Sequence, residues 1–496
     1  MKYISTRGGV SESVFSATAI KEGLASDGGL FMPTHIPGVN IEFIAGLSSL
    51  SYPERAAKIL SLFLTDYSYD ELIEDTATAY STENFDGHFA PVNHLDDDIS
   101  ILELWHGPTS AFKDMALQLM PRLFIRALRK CEEQRKALIL VATSGDTGKA
   151  ALEGYKNIDG ICLKVFYPTD GVSAMQKLQM QTQVGENLSV AAIRGNFDDA
   201  QSRVKKIFSS AECKATLDKE GYFLSSANSI NFGRLAPQIV YYFSAYIDMC
   251  HDGRINMGEK INVTVPSGNF GNIFAAFIAK LMGLPIGRLI CASNKNDVLT
   301  EFFKTGRYNQ NRQFYATSSP SMDILISSNL ERLIYVLFGS ERCRILMQDL
   351  HDKGEYSLTP EELAIVNQHF TGYSATDNEV AECICFTYKE KNNLIDTHTA
   401  VALVATDKFM REYKVKERLL VASTASPYKF AHEVLKSIFY IEDDAISAPY
   451  SLEKLTNIKI PTPISELKDK EIVHKEIIDK DDMWESTLAF IRSLKR

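Results

Sequence analysis

Short apolar runs alternate with amphipathic segments from about residue 137 onward. Each run has the length of a β-strand that is buried on both faces. The runs predict strands at 137–142, 161–166, 188–193, 261–265, 288–293 and 418–423. Helical periodicity is present at 115–136, directly before the first run, and at 197–219, between later runs. This repeated strand, helix, strand order predicts a parallel α/β sheet with helices on both faces.

The pattern before residue 137 is different. Apolar residues recur at helical spacing through 53–80, so residues 1–90 are expected to form a separate, mostly helical unit. A polar stretch at 83–100 is rich in turn-forming residues and is expected to be a loop or linker. The charged tail after Ile460 is expected to be a peripheral helix or an extension. Pro121 predicts a kink or a late start in the first helical segment.

Length and charge narrow the function classes. A chain of 496 residues exceeds the size at which one hydrophobic core stops growing, so two or three domains are expected. The formal net charge of -10 argues against a general nucleic-acid surface, because phosphate backbones bind clustered lysine and arginine. If the substrate is an anion, the cations that hold it must therefore be local.

The eight cysteines are scattered, and Cys383 and Cys385 lack the second pair that a zinc site needs. Such usage is typical of thiols in a reducing cytosol. The N-terminus lacks the apolar stretch of a signal peptide, and no apolar run approaches the ~20 residues that span a bilayer. We expect a cytoplasmic protein with no metal site and no membrane or nucleic-acid partner.

Two predicted strands end in Gly-rich turns that lead into helices, at 143–148 and at 266–272. Ligands of open α/β sheets bind beyond the carboxyl ends of the strands, where backbone N–H groups and helix N-termini favour anions. Both turns are therefore candidate anion sites, although a Gly-Asn turn is often purely structural. A third strand end carries Thr424, whose hydroxyl alone would suggest a helix N-cap.

Neither Gly-rich turn matches a nucleotide-binding motif. A P-loop ending at Gly148-Lys149 would need Gly at position 143 and Ser or Thr at position 150, which are Thr143 and Ala150. The chain contains no G-x-G-x-x-G fingerprint of dinucleotide-binding proteins. The two turns are thus better suited to an isolated phosphate or carboxylate than to a nucleotide.

Lys113 is the candidate nucleophile. It follows a Gly-Pro-Thr-Ser turn, is flanked by Phe112, and leads into a largely apolar helix. Most lysines at helix starts point to solvent. Apolar neighbours instead favour a partly desolvated amine with a lowered pKa, and a neutral amine is what an aldehyde cofactor requires.

Five motifs follow one another along the chain: HGPTSAFKD, ATSGDTGKAA, SANSINFGRLAPQ, VPSGNFGN and STASPYKF. With the N-terminal stretches YISTRG and EGLASDGGLFMP, and with GVSAMQKLQM, they make the chain resemble threonine synthase of the bacterial and fungal class, from about Tyr3 to Phe430. That family has the tryptophan-synthase-β-like fold (fold type II) of pyridoxal 5'-phosphate enzymes. The resemblance implies an α/β fold with two open, mostly parallel sheets covered by helices, plus a small N-terminal helical domain.

The resemblance also implies three units and one reaction. Residues 1–90 would be the family's N-terminal domain, 91–460 a catalytic domain with the cofactor between two α/β subdomains, and 461–496 a C-terminal extension. Members of the family convert O-phospho-L-homoserine and water into L-threonine and phosphate, the last step of threonine biosynthesis. A monomer is favoured, and a dimer is the alternative.

By motif position, Lys113 is implied to be the Schiff-base lysine and the general acid and base. Further cofactor contacts are implied at Gly268, Asn269, Phe270, Gly271 and Asn272 for the phosphate, at Thr424 for the pyridine nitrogen, and at Asp146 near the phenolic oxygen. Substrate contacts are implied at Ser144, Gly145 and Thr147 for the carboxylate, and at Asn228, Ser229, Asn231 and Arg234 for the phosphate. An arginine fork binds phosphate bidentately, so replacing Arg234 with lysine should be harmful. Lys149 is expected to face solvent.

Two other functions remain open from the sequence. A related lyase, such as a serine or threonine dehydratase, needs no second phosphate site, so Arg234 and the NSIN segment at 228–231 argue against it. A non-catalytic relative that binds cofactor or a phosphorylated ligand is disfavoured by the presence of Lys113 and of all the anion-binding turns. Phosphate release from O-phosphohomoserine distinguishes the three.

Overall fold

The computed structural model describes residues 1–9 and 12–494. The strands are β1 (Tyr3–Ser5), β2 (Phe31–Pro33), β3 (Val92–His94), β4 (Ile99–Glu103), β5 (Lys136–Ala142), β6 (Ile161–Pro168), β7 (Leu188–Arg194), β8 (Tyr222–Ser225), β9 (Ile261–Pro266), β10 (Ile286–Ser293), β11 (Arg307–Asn309), β12 (Glu355–Ser357), β13 (Phe370–Ser374), β14 (Arg418–Ser423) and β15 (Glu476–Asp479). Positions 10, 11, 495 and 496, which fall in the predicted N-terminal and C-terminal units, lie outside the described residues.

The helices of the described chain surround these strands. They are α1 (Ser16–Glu22), α2 (Ile41–Gly46), α3 (Tyr52–Leu60), α4 (Tyr69–Ala79), α5 (Thr82–Phe85), α6 (Asp114–Leu117), α7 (Met120–Lys130), α8 (Asp146–Tyr155), α9 (Ala174–Gln181), α10 (Phe197–Ser209), α11 (Ala211–Lys219), α12 (Phe232–His251), α13 (Gly271–Met282), α14 (Val298–Thr305), α15 (Leu330–Lys353), α16 (Pro360–Val366), α17 (Asp377–Lys391), α18 (Thr397–Tyr413), α19 (Ala431–Phe439), α20 (Ala448–Thr456), α21 (Thr462–Ser465) and α22 (Met483–Ser493). Short 3-10 turns occupy Pro320–Met322, Pro427–Phe430, Glu466–Asp469 and Lys480–Asp482.

Two sheets organise the molecule. The larger has the strand order β13-β10-β9-β14-β4-β3 and the smaller β15-β7-β6-β5-β8. Their neighbouring strands are parallel, apart from β3, which pairs antiparallel with β4. Short antiparallel ribbons join β1 to β2 and β11 to β12. The predicted fold class, with two mostly parallel sheets covered by helices, is confirmed.

All six predicted strands are present, as β5, β6, β7, β9, β10 and β14. Strand β5 is buried throughout 137–142, which is why its sequence there, ALILVA, is a continuous apolar run without alternation. The predicted helix at 115–136 is divided into α6 and α7, and Pro121 lies in the first turn of α7. This is the late helix start that Pro121 predicted. Proline is tolerated there because an N–H group in the first turn has no carbonyl partner inside the helix.

The other predicted helical segments are also divided at polar caps. Ser210 ends α10 and begins α11, where its hydroxyl accepts a hydrogen bond from the N–H of Cys213. The segment 53–80 contains α3 and α4, each of which begins with a Ser and Glu capping box. These N-terminal helices share an apolar core with the rest of the chain, as in the contact between Tyr3 and Phe232. The boundary at residue 90 stays a prediction.

Two stretches are more regular than their polar sequences predicted. The expected loop at 83–100 contains part of α5, all of β3 and the start of β4. The charged tail supplies β15, which extends the smaller sheet beside β7, and then α22. Lys164 of β6 is buried and lies 3.0 Å from Glu476 of β15. The tail is therefore a structural part of the sheet, because it supplies the carboxylate for a buried lysine.

Candidate active site

The loop that carries Lys113 is attached to the carboxyl end of β14. Ala111 forms an isolated antiparallel bridge with Ala425. The N–H of Phe112 donates to the carbonyl of Thr424 at 2.8 Å, and the N–H of Ser426 donates to the carbonyl of Ser110 at 3.1 Å. This junction fixes the position of Lys113 relative to Thr424, the residue predicted to face the pyridine nitrogen.

The Lys113 amine is largely enclosed. Its side chain is 12% exposed, and Nζ lies 3.3 Å from a carboxylate oxygen of Asp146. Nζ is also 5.0 Å from the centre of the Phe112 ring. Burial lowers the pKa of Lys113, Asp146 opposes that shift, and the charges of Arg234 and Lys429 add to it. The site thus favours the neutral amine that nucleophilic attack needs.

Asp146 lies at the centre of a hydrogen-bonded cluster at the start of α8. Its Oδ1 accepts from Gln176 Nε2 at 2.8 Å and from Lys429 Nζ at 2.6 Å. Its Oδ2 accepts from Lys113 Nζ at 3.3 Å and from Ser321 Oγ at 3.1 Å. Burial would raise the pKa of this carboxyl, but the two lysines hold it well below its usual range. Asp146 is therefore ionised.

The turn before α8 requires glycine. Gly145 has a φ of +140°, and a Cβ there would lie about 2.5 Å from the side chain of Gln176, a serious overlap. The hydroxyl of Thr143 closes the turn by accepting from the N–H groups of Gly145 and Gly148, at 3.0 Å and 2.9 Å. Ser144 and Thr147, predicted to contact the substrate, are half-buried in this turn.

Arg234 lies at the edge of the same turn. Its Nη2 lies 3.5 Å from Thr147 Oγ1, and its Nη1 donates to the carbonyl of Ala227 at 3.1 Å. Burial lowers the pKa of this guanidinium to about 10. Nearby, the side-chain oxygen of Asn228 is buried without a partner. The structure therefore brings the residues predicted for the substrate carboxylate together with two of those predicted for the phosphate.

Asn231 is placed differently from its predicted role. Its Nδ2 donates to the carbonyls of Ile20 and Ser226, and its Oδ1 accepts from the N–H of Gly233. The amide is fully buried and begins α12 as an N-cap. Because the protein itself uses these groups, Asn231 orients the turn that carries Asn228 and Arg234. A contact of Asn231 with the substrate stays a prediction.

The turn between β9 and α13 has the properties of a phosphate cradle. Phe270 adopts a left-handed conformation with φ of 64°, and its ring is buried against Phe303 and Phe370. This geometry leads into the start of α13, where the first N–H groups have no carbonyl partner inside the helix. No acidic residue lies in the first turn of α13. The helix dipole there is thus available to an external anion.

Asn272 provides a direct test of whether this cradle fits a phosphate. Its Oδ1 accepts from the hydroxyls of Tyr241 and Tyr242, which fixes the amide, while its buried Nδ2 has no partner. A buried N–H donor without an acceptor is costly unless a ligand completes it. A phosphate oxygen would supply that acceptor, so Gly268 to Asn272 fit the phosphate of pyridoxal phosphate.

Sequence reasoning missed the segment 319–332, which supports the cradle. Ser327 Oγ donates to the carbonyl of Gly268 at 2.7 Å, and Asn329 Nδ2 donates to the carbonyl of Asn269 at 2.9 Å. Ser321 contacts Asp146 through its hydroxyl and approaches Gly268 through its carbonyl. The polar run SSN at 327–329, directly before the long helix α15, was the available signal.

Two lysines were also misjudged. Lys149, expected to face solvent, is buried, because its Nζ lies 3.1 Å from Glu153 and also donates to Gln183. Lys429 was not considered for the site at all, yet its side chain is 0% exposed and contacts Asp146. Its position in the STASPYKF motif, between two aromatic residues just past a strand end, was the signal for a buried amine.

The structure also limits the kinds of site. Within residues 1–9 and 12–494, no group of three or more His, Cys, Asp or Glu side chains could hold a metal ion. The helices of the same part of the chain include none that is long and apolar enough to cross a membrane. What the structure offers instead is a nucleophilic amine, a phosphate cradle and a buried arginine.

Comparisons with known proteins identify the family of the chain. Residues 2–80 match the family model described as threonine synthase N terminus, and residues 90–424 match that of pyridoxal-phosphate dependent enzymes. A human relative, threonine synthase-like 1, is 39% identical over 86% of this chain. The chain spans 58% of that relative's length. Threonine synthase of Pseudomonas aeruginosa is 36% identical, over 88% of this chain and 90% of its own length.

Solved structures extend the comparison to the whole fold. The crystal structure of pyridoxal-phosphate-bound threonine synthase from Brucella melitensis is 33% identical, with a TM-score of 0.86 and 100% coverage of both chains. The cofactor of the present protein is pyridoxal phosphate. The site geometry and these similarities together show that the chain belongs to the threonine synthase family of pyridoxal-phosphate-dependent enzymes.

Proposed function

We propose that this protein is a carbon–oxygen lyase that converts O-phospho-L-homoserine and water into L-threonine and inorganic phosphate. The observation that carries the proposal is the buried guanidinium of Arg234 beside Thr147. It provides an anion site separate from the cradle at Gly268 to Asn272. A substrate that carries its own phosphate needs such a second site, whereas serine or threonine does not.

The residues for the cofactor follow from the site. Lys113 would bind the aldehyde carbon covalently, Gly268 to Asn272 would hold the phosphate, and Thr424 would face the pyridine nitrogen. Pyridoxal phosphate, when bound, supplies a conjugated ring that withdraws electrons from the substrate's α-carbon. A threonine hydroxyl carries no charge, so it would not force protonation of that nitrogen as a carboxylate would.

Lys113 has the properties of the proton carrier. The reaction removes a proton from the α-carbon and another from the β-carbon, after which phosphate leaves the γ-carbon. Water then adds its hydroxyl at the β-carbon, and protons return to the α- and γ-carbons, which gives L-threonine. Burial lowers the pKa of the Lys113 amine, which makes its neutral, proton-accepting form easier to reach.

Arg234 would hold the departing phosphate. Its two-pronged guanidinium matches two phosphate oxygens, and its burial strengthens the attraction because solvent does not screen it. Thr147, in the first turn of α8, lies beside the guanidinium, and Asn228 lies in the separate loop before α12; both can add hydrogen bonds. The Asn228 amide can rotate to present its N–H groups, since its oxygen has no partner to keep it in place.

A related lyase acting on a different amino acid is the second candidate. It is favoured by one observation, namely that the 39% identical human relative is named only threonine synthase-like. Under this alternative the buried Arg234 would bind another acidic group of the substrate.

Cytoplasmic location and a monomeric state also stay predictions. Cell fractionation would check the first, and light scattering on the purified protein would check the second.

The assay is release of phosphate and formation of threonine from O-phosphohomoserine by the protein loaded with pyridoxal phosphate. We expect Lys113→Ala to reduce both rates by at least about 1,000-fold, because it removes the covalent attachment and the proton carrier together. The matched control is Lys214→Ala, an exposed lysine of α11, which should have wild-type rates. Ammonia released from serine or threonine, without phosphate release from O-phosphohomoserine, would favour the second candidate.

A further inference from the structure

Lys429 is a fully buried lysine without an assigned role. Its side chain is 0% exposed, and its Nζ lies 2.6 Å from Asp146 Oδ1. The same Nζ donates to the carbonyl of Thr109 at 3.1 Å. A buried ammonium is costly unless its charge is paired and its hydrogen bonds are made, and both conditions are met here. Lys429 therefore forms a specific pair with Asp146.

The pair faces the reactive amine. Asp146 binds Lys429 through Oδ1 and Lys113 through Oδ2, and the distance to Lys429 is shorter, 2.6 Å against 3.3 Å. Both lysines are held by the junction between Ala111 and Ala425, since Lys113 follows the first residue and Lys429 the second. The two amines thus share one carboxylate, which can neutralise only one of them.

We propose that Lys429 is a positioning residue that neutralises Asp146 and thereby prevents this carboxylate from holding Lys113 as a protonated ion pair. The Lys113 amine must be neutral to attack the aldehyde carbon. In that step a carbon–nitrogen double bond forms, and the aldehyde oxygen leaves as water with two protons. The inference rests on the role of Lys113 in the proposed function, and it does not depend on which substrate is used.

The surrounding charges support this assignment. Lys113 is faced by Asp146, which favours its protonated form, and by Arg234 and Lys429, which oppose it. Asp114, the residue after Lys113, accepts instead from Thr109 through both of its oxygens. Burial raises the pKa of Asp114 to about 6, and Lys429 partly offsets that shift. Among residues 1–9 and 12–494, removing Lys429 would therefore leave Lys113 as the one cationic side chain in contact with Asp146.

The test measures covalent attachment of pyridoxal phosphate to Lys113 as a function of pH, by borohydride trapping and peptide mass spectrometry. It uses the wild type, Lys429→Met and the double variant Lys429→Met with Asp146→Asn. We expect the pH midpoint of attachment to rise by about one unit in Lys429→Met, which means about tenfold less attachment below the midpoint. In the double variant it should return to within a few tenths of a unit of the wild type.

The double variant distinguishes charge from packing. Methionine is nearly isosteric with the lysine stem, so both variants carry the same packing change and differ mainly in the Asp146 charge. An unchanged midpoint in Lys429→Met, or an equal rise in both variants, would overturn the proposal. If Lys429→Met fails to fold, a folded double variant with the wild-type midpoint supports it, and a double variant that is also unfolded contradicts it.

This test of Lys429 can fail or succeed independently of the proposed reaction. Attachment is measured without substrate, so a wild-type protein that binds pyridoxal phosphate at Lys113 but releases no phosphate would refute the proposed reaction and leave this inference open to the same test. A wild type that never attaches the cofactor at Lys113 would refute both.

Discussion

Two strand-to-helix junctions of this molecule have the same topology but differ in the charge at the helix N-terminus. At the first, β5 leads into α8, whose first turn carries Asp146. At the second, β9 leads into α13, whose first turn has no acidic residue. Helix N-termini attract negative charge, and in α8 the protein supplies that charge itself. In α13 the same attraction is left for a ligand.

The difference explains why the two junctions contribute different chemistry. Around α8, buried side-chain charges face one another, so a substitution there should change protonation and catalysis. Around α13, backbone N–H groups and the amide of Asn272 form the cradle, so a substitution there should change cofactor affinity. Asp146 already occupies the N-terminal end of α8, so we propose that Arg234 supplies the positive charge for an anionic substrate group there.

The largest effect is expected from Asn272→Asp, which gives α13 an acidic first turn like that of α8. We expect cofactor affinity to fall by on the order of 100-fold, because a carboxylate repels the phosphate and loses the amide donor. Equilibrium titration with pyridoxal phosphate, followed by absorbance, measures it. Asn272→Ala is the control and should weaken binding only about tenfold, since it removes the proposed amide donor to the phosphate, and the acceptor of the Tyr241 and Tyr242 hydroxyls, without adding charge. Equal effects of the two variants would show that charge at α13 is unimportant.

Arg234→Lys changes the anion site beside α8. We expect kcat/KM for O-phosphohomoserine to fall about 30-fold, or about 2 kcal/mol, because lysine keeps the charge but loses the bidentate geometry. Cofactor affinity should stay within a factor of two, since its phosphate is held at the other junction. Parallel measurement of steady-state kinetics and cofactor titration checks both. A loss of cofactor affinity as large as the loss in kcat/KM would mean that the two anion sites are not separate.

Ser321→Ala gives the smallest expected effect. Its hydroxyl donates to Asp146 Oδ2 at 3.1 Å, and its carbonyl lies beside Gly268. Removing the hydroxyl loses one hydrogen bond to an anion, so we expect about a fivefold decrease in kcat with little change in cofactor affinity. Ser202→Ala, which changes an exposed serine of α10, is the control and should behave as wild type. A change in cofactor affinity without a change in kcat would place Ser321 with the cradle instead.

The strands and their ends could be predicted because they are encoded locally. Strand β5 is buried on both faces, so its sequence at 137–142 is an uninterrupted apolar run, and a Gly-rich turn follows directly. Lys113 was recognisable for the same reason, from its neighbours in sequence. The five ordered motifs then indicated the family, which sequence and structure comparisons show.

The contacts that distinguish the site could not be predicted, because they join distant parts of the chain. Lys429 and Asp146 are 283 positions apart, and nothing in either local sequence indicates the pair. The strand β15 has mostly exposed residues and joins the sheet through pairing with β7, so it lacks an apolar pattern. Asn231 could equally have been a ligand contact or a cap, since both roles use the same amide hydrogen bonds.

We propose above all that the Lys113 amine binds the cofactor covalently, although Lys429 contacts the same Asp146 carboxylate. The most direct measurement loads the wild-type protein with pyridoxal phosphate at neutral pH, reduces the linkage, and locates the modified residue by peptide mass spectrometry. We expect one modified residue, Lys113, with Lys429 unmodified. Modification at Lys429 in place of Lys113, or no incorporation at any lysine, would contradict it.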